Sequence, residues 1–600
     1  MELTDIAVVA ITTGGAETAR RVVAALPGAR LHGLAGRVAD CDLSFTDTVS
    51  HVRTLFSQGT AVIGVCAAGI LIRAVAPLLA DKAAEPPVVA VSPDGTSAVP
   101  LLGGHHGANR LATAVAAALG GRAALTTGGD VSLGIALDEP PEGWRVANPT
   151  AAKPVAAALL AGQPVRLEVE CGDAGWLALP GLGAEGTQAI RVTDHAVEGD
   201  GELILHPPVL ALGVGCERGT DPAELSDLVR ASLAEAGLSR HSVACVVSLD
   251  LKADEPAVQA LARELDVPAR FFTAAELEAQ ASRLTQPSEV VFAETGCHGV
   301  AEGAALAAAG ALGKLVSVKT KSARATCAVT RSAGNIDPAT VGRPRGRLAI
   351  VGIGPGDAIW RTPEASRAIA EATDLVGYGL YLDLLGEATA GKIRHDGAMG
   401  AEEARVRQAL DLAAEGRSVA LVCSGDAGIY ALATLAFELM DREDRPAWNR
   451  LDISVAPGIS ALQAAAARAG APINHDFCTI SLSNLLTPWE AIERRVRAAA
   501  EGDFVIAFYN PVSRRRRDQL PAAKEILLKH RPADTPVIIA RNLGRPGETI
   551  SVLRLADLDA EAVDMLSLVL VGNSESRAVR RGERLWVYTP RGYAKKWEDQ

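Results

Sequence analysis

The sequence predicts a multidomain α/β protein built on open, largely parallel sheets. Short apolar runs alternate with Ala-rich helical stretches over nearly the whole chain, the pattern of strands joined by crossover helices. At 600 residues the chain is too long for one hydrophobic core, since single cores stop growing near ~250–300 residues. Aromatic residues make up only 4%, so the cores must be packed with Ala, Val, Leu and Ile, which suits strands buried on both faces.

Composition excludes several classes. Hydrophobic residues at 48% and charged ones at 22% are ordinary globular values and rule out bulk disorder. The net charge of −12 gives a long-range field that favours neither nucleic acid nor an anionic membrane, so neither is an expected partner. Nine scattered cysteines without a CxxC pair predict a reduced, cytoplasmic setting and no metal centre. The opening residues MELTDIAVV carry no basic signal region, and the apolar stretch 61–79 is broken by two glycines, Arg73 and Pro77, so neither export nor a membrane span is expected.

In chain order, residues 1–120 read as an α/β domain. Strand 6–11 ends at Thr12-Thr13-Gly14-Gly15, strand 61–65 ends at Cys66-Ala67-Ala68-Gly69, and strand 88–91 precedes Gly103-Gly104-His105-His106-Gly107-Ala108-Asn109 and a helix over 110–119. Residues 121–205, richer in Gly, Pro and Glu, read as a small middle module with a weak strand at 166–170. Residues 206–331 form a second α/β domain. Its strand 209–214 runs into Gly215-Cys216-Glu217-Arg218-Gly219-Thr220-Asp221-Pro222, where Thr220 or Asp221 caps a helix, and 243–249, 289–293 and 314–318 are its further predicted strands. Residues 332–346, polar with Gly and Pro, have the composition of a linker. Residues 347–600 are long enough for two lobes, divided near 457.

The last region carries the densest motifs. Gly352-Ile353-Gly354-Pro355-Gly356-Asp357 superficially suggests a dinucleotide loop, but Asp357 replaces the third glycine and the helix begins later, capped by Thr362 before Pro363. Asp374 precedes an apolar run instead of ending a second strand, and G-x-x-x-x-G-K-[ST] is absent. Nicotinamide, flavin and P-loop sites are therefore excluded. Strand 418–423 stops at Ser424-Gly425-Asp426-Ala427-Gly428-Ile429-Tyr430, and strand 453–455 stops at Ala456-Pro457-Gly458-Ile459-Ser460. These turns are predicted to lie side by side at the carboxyl edge of one sheet, where open α/β sheets bind ligands. Singly, each turn reads more often as plain strand-to-helix punctuation.

Together with Phe508-Tyr509-Asn510-Pro511, Arg541-Asn542-Leu543-Gly544 and Val571-Gly572-Asn573, these motifs resemble, in order, the tetrapyrrole (corrin) methylase family. Within it they are most similar to the precorrin-3B C(17)-methyltransferase branch, over residues 347–595. The resemblance implies a two-lobed tetrapyrrole methylase (class III SAM methyltransferase) fold, a homodimer, and S-adenosylmethionine (SAM) in the cleft. It also implies methylation of precorrin-3B at carbon 17 with ring contraction to precorrin-4. By position it places Pro355, Gly425, Asp426, Ala427, Ile429, Ser454, Val455, Ala456, Pro457 and Asn510 around SAM or the macrocycle; Ala427 departs from the family's common Gly-Asp-Pro. Ring contraction needs a proton donor or acceptor, for which Asp357 is the candidate and helix capping the competing role. The family's substrates carry acetate and propionate groups, so Arg514 and Arg515 are candidate substrate contacts, against a solvated helix start.

In the other half, Gly69-Ile70-Leu71-Ile72-Arg73, Asp81-Lys82 and Leu102 through Ala112, with Gly213 through Gly219 and Glu294 through Glu302, resemble the cobalt-precorrin-5A hydrolase family over residues 5–330. That family opens a lactone and releases a two-carbon fragment. His105, His106 and Lys82 are the acid–base candidates the resemblance implies, and adjacent histidines read equally as helix-start structure. His298 beside Cys297 lacks two further ligands for a metal, so a buried turn is expected. The combined expectation is a fused cobalamin-biosynthesis enzyme that meets other enzymes of that pathway. Two alternatives stand beside it: a cobalt-precorrin-3 methyltransferase with an active lactone hydrolase, or an N-terminal half that only carries tetrapyrroles.

Overall fold

The computed structural model describes residues 6–26, 28–79, 85–125, 133, 135–199, 201–398 and 400–593. The chain divides into two compact units, Met1–Arg345 and Gly346–Gln600.

Among the described residues the first unit holds three sheets. The first has seven strands in the spatial order Leu43–Phe45, Ala29–Leu34, Ile6–Ala10, Ala61–Val65, Val88–Val91, Ser97–Leu102 and Arg122–Ala123. Ile6–Ala10 is buried along its whole length and pairs in parallel with both neighbours, as expected of a strand covered on both faces. Thr12 caps the following helix Thr13–Ala25, its hydroxyl accepting from the Gly15 N–H at 3.1 Å. The second sheet contains Arg145–Val146, Val165–Val169, Leu182–Gly183, Gln188–Val192 and Leu203–His206, over a core that includes Trp144, Leu177, Ile190 and Leu205. The third has the order Ala269–Phe272, Val243–Leu249, Leu210–Cys216, Ala325–Arg331, Lys314–Lys321. Its first three strands are parallel and its last two form an antiparallel pair. Asp221, not Thr220, caps the helix Pro222–Glu235.

One expected strand is a helix. Residues 289–293 lie in Glu289–Thr295, capped by the Ser288 hydroxyl and closed by Gly296 at φ +78. The capping geometry outweighs the β preference of Val290 and Val291, and Val290 is 70% exposed, so no sheet core recruits it. The stretch of linker-like composition is pinned to the first unit: Phe271 and Arg343 exchange two backbone hydrogen bonds, and Ile336 is buried.

The second unit has a parallel five-stranded sheet, in the order Ile393–Gly397, Asp374–Tyr378, Ser418–Cys423, Arg347–Gly352, Asp452–Ala456. A mixed sheet follows, in the order Phe477–Ser481, Val505–Tyr509, Ser567–Val571, Pro536–Arg541, Thr549–Arg554, and a small sheet joins Gly470–Ala471, Arg584–Tyr588 and Arg577–Arg581. Thr362 caps Pro363–Glu371 through a hydrogen bond from the Ala365 N–H. Among the described residues no helix is long and apolar enough to cross a membrane and no cluster of three or more His, Cys, Asp or Glu side chains could hold a metal. All nine cysteines are free thiols.

At the amino-terminal edge of the parallel sheet, Asp374 is 1% exposed and accepts hydrogen bonds from His395 Nε2, Arg417 and the Thr373 hydroxyl, each at 2.8 Å. Burial opposes its ionisation, but the three hydrogen bonds outweigh burial and hold the carboxyl below the usual carboxylate range. A depressed acid stabilises the fold above its unfolded value of 3.8, and that contribution is lost as pH falls through the lower folded value. Asp374→Ala is expected to cost about 1.5–3 kcal/mol in urea melts near neutral pH, the scale of hydrogen bonds to a charged group. The gap to wild type should close in strong acid.

Candidate active site

The loops at the opposite edge of the parallel sheet meet in a knot of backbone. Gly354 and Gly425, at φ +76 and +69, exchange two hydrogen bonds of 3.1 and 2.7 Å, a left-handed geometry that glycine adopts without steric cost. The Asp426 carboxylate then ties two turns together: Oδ1 accepts from the Gly428 N–H at 2.8 Å and Oδ2 from the Gly458 N–H at 3.0 Å. A Cβ on Gly458 would lie 2.0 Å from the Gly425 carbonyl oxygen and 2.7 Å from the Gly352 carbonyl carbon. The two turns lie together as the sequence predicts, although strands Ser418–Cys423 and Asp452–Ala456 do not pair; Arg347–Gly352 runs between them. The end of that central strand touches both turns: a Cβ on Gly352 would lie 2.7 Å from the Gly425 oxygen and 2.8 Å from the Gly458 nitrogen.

A cavity of about 350 Å³ opens beside this knot. Pro355, Gly425, Asp426 and Ile429 line it from the parallel sheet's loops, and Tyr509, Asn510, Arg545 and Leu566 from the mixed sheet. Arg545 spans the two, its Nε donating to the Pro355 carbonyl at 2.8 Å and Nη2 to the Ser424 hydroxyl at 3.1 Å. Tyr430, at φ +52, donates its hydroxyl to the Thr479 carbonyl at 3.0 Å and lies 5.2 Å from the Tyr509 ring. The Tyr509 hydroxyl accepts from the Leu462 N–H at 3.1 Å, and Asn510 Nδ2 donates to the Ser481 hydroxyl at 3.2 Å.

Burial pushes the Tyr381 and Tyr509 hydroxyls up and Arg545 down from their ordinary values. It raises the Cys423 thiol to about 11, so this cavity-lining cysteine is a neutral thiol near pH 7 and no nucleophile. Both Asp426 oxygens are engaged by backbone, which makes the carboxylate an organiser of the turns. The site presents fixed backbone turns, aromatic rings and guanidinium groups, equipment for holding and orienting a ligand.

Of the sequence-derived candidates, Pro355, Gly425, Asp426, Ile429 and Asn510 line the cavity. Ala427 is fully buried in the core behind it. Ser454 and Val455 are exposed on the edge strand, Ala456 is buried, and the Pro457 carbonyl accepts from Thr362. Asp357 is exposed and accepts from the Ile359 N–H at 3.0 Å as the cap of the short helix Ala358–Trp360. Arg514 and Arg515 are exposed in a tight turn bridged between Ser513 and Arg516, and the next helix starts only at Gln519. Arg516 and Arg517 donate to carbonyls of Leu482 and Ala560.

In the first unit, His105 and His106 fall in the short helix Gly104–His106, and His106 is half-buried. Lys82 lies outside the described residues. His298 pairs with Glu278 at 2.8 Å beneath Phe292. Tyr378, Tyr381, Arg405, Arg545 and Met565 line the cavity and escaped the sequence reading. Only Arg545, directly after Arg541-Asn542-Leu543-Gly544, had a nearby signal.

Residues 347–559 match the tetrapyrrole (corrin/porphyrin) methylases, residues 210–330 the cobalamin synthesis G C-terminus and residues 50–130 the cobalamin synthesis G N-terminal family. Over 250 residues the chain is 46% identical to the precorrin-3B C(17)-methyltransferase of a Sinorhizobium species, covering 42% of this chain and 98% of that one. The chain belongs to the tetrapyrrole methylase family. This tetrapyrrole methylase is also 45% identical over 248 residues to the probable cobalt-factor III C(17)-methyltransferase of Salmonella typhimurium, covering 41% of this chain and 99% of that one. It is 44% identical over 252 residues to the cobalamin biosynthesis protein CobIJ of Mycobacterium tuberculosis, covering 41% of this chain and 48% of that one. The match thus spans about half the length of CobIJ.

Gly458→Ala is expected to destabilise the second unit by about 1–3 kcal/mol or more, the cost of overpacking, measured by urea unfolding. Gly379→Ala, whose added Cβ meets nothing closer than 3.5 Å, should change it little.

Proposed function

We propose that the second unit is a SAM-dependent methyltransferase that methylates precorrin-3B at carbon 17 with ring contraction to precorrin-4, in cobalamin biosynthesis. The observation that carries this reading is the Asp426-bound knot of turns beside a cavity, in a chain that matches a protein of that name over 98% of its length.

The residues present fit SAM. Gly425, Asp426 and Ile429 offer close backbone approach and an apolar side chain, and Tyr381, Tyr430 and Tyr509 offer ring faces, with no lysine-bearing phosphate loop needed for a ligand that lacks phosphate. SAM when bound supplies an electrophilic methyl group on a sulfonium. The protein's part is orientation: Asp426 fixes the turns, Arg545 holds the Pro355 loop against the Ser424 loop, and the Tyr430–Tyr509 pair walls the cavity. Such positioning can contribute ~7–11 kcal/mol to a transfer between two bound partners. Exposed Met565 and Leu566 at the cavity mouth, 53% and 50% exposed, give the macrocycle an apolar rest.

Incubation with SAM and precorrin-3B is expected to yield a ring-contracted product one methyl heavier, read by mass and NMR. An unchanged macrocycle with SAM bound would contradict the reading. Asp426→Ala, which frees Gly428 and Gly458, should weaken S-adenosylhomocysteine binding about tenfold in calorimetry, the scale of one charge-assisted hydrogen bond. The near-equal likeness to the Salmonella protein supports a second reading with a cobalt-bearing substrate. Parallel assays with cobalt-free and cobalt-loaded macrocycle separate the two by kcat/KM.

For the first unit, the matches at residues 50–130 and 210–330 support a lactone-opening, hydrolase-like half, with His105, His106 and Lys82 as its acid–base candidates. Release of acetaldehyde from a cobalt-precorrin-5A lactone by the full chain is the expected outcome. Pigment binding without acetaldehyde would assign this half to carriage alone, with catalysis left to the second unit.

A further inference from the structure

We propose that Arg405 is the receptor for a carboxylate of the ligand bound in the second unit's cavity. The inference rests on the methyltransferase reading and adds a binding group that neither the motifs nor the relatives point to. Arg405 lies in the first turns of the helix Glu402–Ala414, is 6% exposed, and lines the cavity. Its Nη2 donates to the Ala398 carbonyl at 2.6 Å, and its Nε is buried without a hydrogen-bond partner against Gly397, where an added Cβ would lie 2.3 Å from it.

The neighbouring arginines are neutralised in place. Arg407 pairs with Glu403 and Glu443, and Arg417 with Asp374. Arg405 has no ion pair among the described residues. A guanidinium keeps its charge when buried, and a buried charge without a counter-ion is unfavourable, so the ligand is the missing partner.

Arg545 also lines the cavity, its Nε and Nη2 donating to a carbonyl and a hydroxyl, and it forms no ion pair among the described residues. Both Asp426 oxygens are occupied by the N–H groups of Gly428 and Gly458. Glu402 accepts from the Gly400 N–H at 3.2 Å. Asp426 and Glu402 line the same cavity, but neither pairs with Arg405 among the described residues, and a planar guanidinium is matched to a carboxylate. Two partners of the reaction carry that group: the amino-acid end of SAM, and the acetate and propionate arms of a tetrapyrrole.

The test uses the full chain as wild type, Arg405→Gln and Arg405→Lys. Affinities for S-adenosylhomocysteine and for 5′-methylthioadenosine, which lacks the carboxylate, are measured by calorimetry, and KM and kcat for precorrin-3B at saturating SAM. If the receptor holds the amino-acid end, Arg405→Gln lowers S-adenosylhomocysteine affinity by about tenfold or more and leaves methylthioadenosine unchanged. If it holds a macrocycle arm, both nucleoside affinities stay and KM for precorrin-3B rises by a similar factor. Arg405→Lys, keeping the charge, should recover part of either loss.

Unchanged affinities and unchanged KM overturn the proposal, as does an equal loss for S-adenosylhomocysteine and methylthioadenosine, which would mark a collapsed site. A wild-type protein that binds no S-adenosylhomocysteine removes the methyltransferase reading itself, an outcome separate from failure of the arginine variants.

Discussion

One carboxylate organises the second unit. Asp426 accepts backbone hydrogen bonds from its own turn and from the turn that follows another strand, so two loops that belong to non-adjacent strands are set at a fixed separation. Their approach is possible only because Gly352 and Gly458 leave no side chain where the backbones meet, and because Gly425 adopts a left-handed φ of +69. Everything on the ligand side follows from that spacing: the position of Ile429 and Tyr430, the reach of Tyr430 to Thr479, and the seat that Arg545 finds between Pro355 and Ser424. Charge-assisted hydrogen bonds of this kind are about twice as strong as neutral ones, which suits a carboxylate whose task is to keep mobile turns in place.

The division of labour within the site is physical. Groups that set geometry have their hydrogen-bonding capacity filled by the protein: Asp426, Tyr509 and the Gly354–Gly425 pair. The guanidinium of Arg405, which has no ion pair among the described residues, is the group we propose to meet a ligand's carboxylate. Cys423, despite lining the cavity, is held as a neutral thiol by burial. On the proposed reading, the protein's part is positioning of two bound partners.

How far the sequence reaches is clearest residue by residue. The strands around Ile6–Ala10, Ala61–Val65, Val243–Leu249 and Ser418–Cys423 were legible because a doubly buried strand is a continuous apolar run. Residues 289–293 misled because an apolar run of that length carries no period, and the Ser288 cap and Gly296 stop decide the matter locally. The glycine turns were readable since each follows a strand directly. That a third strand runs between two of them was not, because spatial order within a sheet is a long-range property. Arg405 was illegible for a similar reason: it sits in an ordinary helix, and only the fold reveals that it lines the cavity without an ion pair among the described residues. Asp357 illustrates the converse, a motif residue whose visible work is to cap its own short helix.

The central claim is that the cavity beside the Asp426 knot is where SAM is held. A crystal structure of the full chain grown with S-adenosylhomocysteine tests it most directly. The expected result is density for the nucleoside in that cavity, in contact with the Gly425–Ile429 turn and Pro355. Clear density for the nucleoside at another place, or a cavity without it at saturating concentration, would contradict the account.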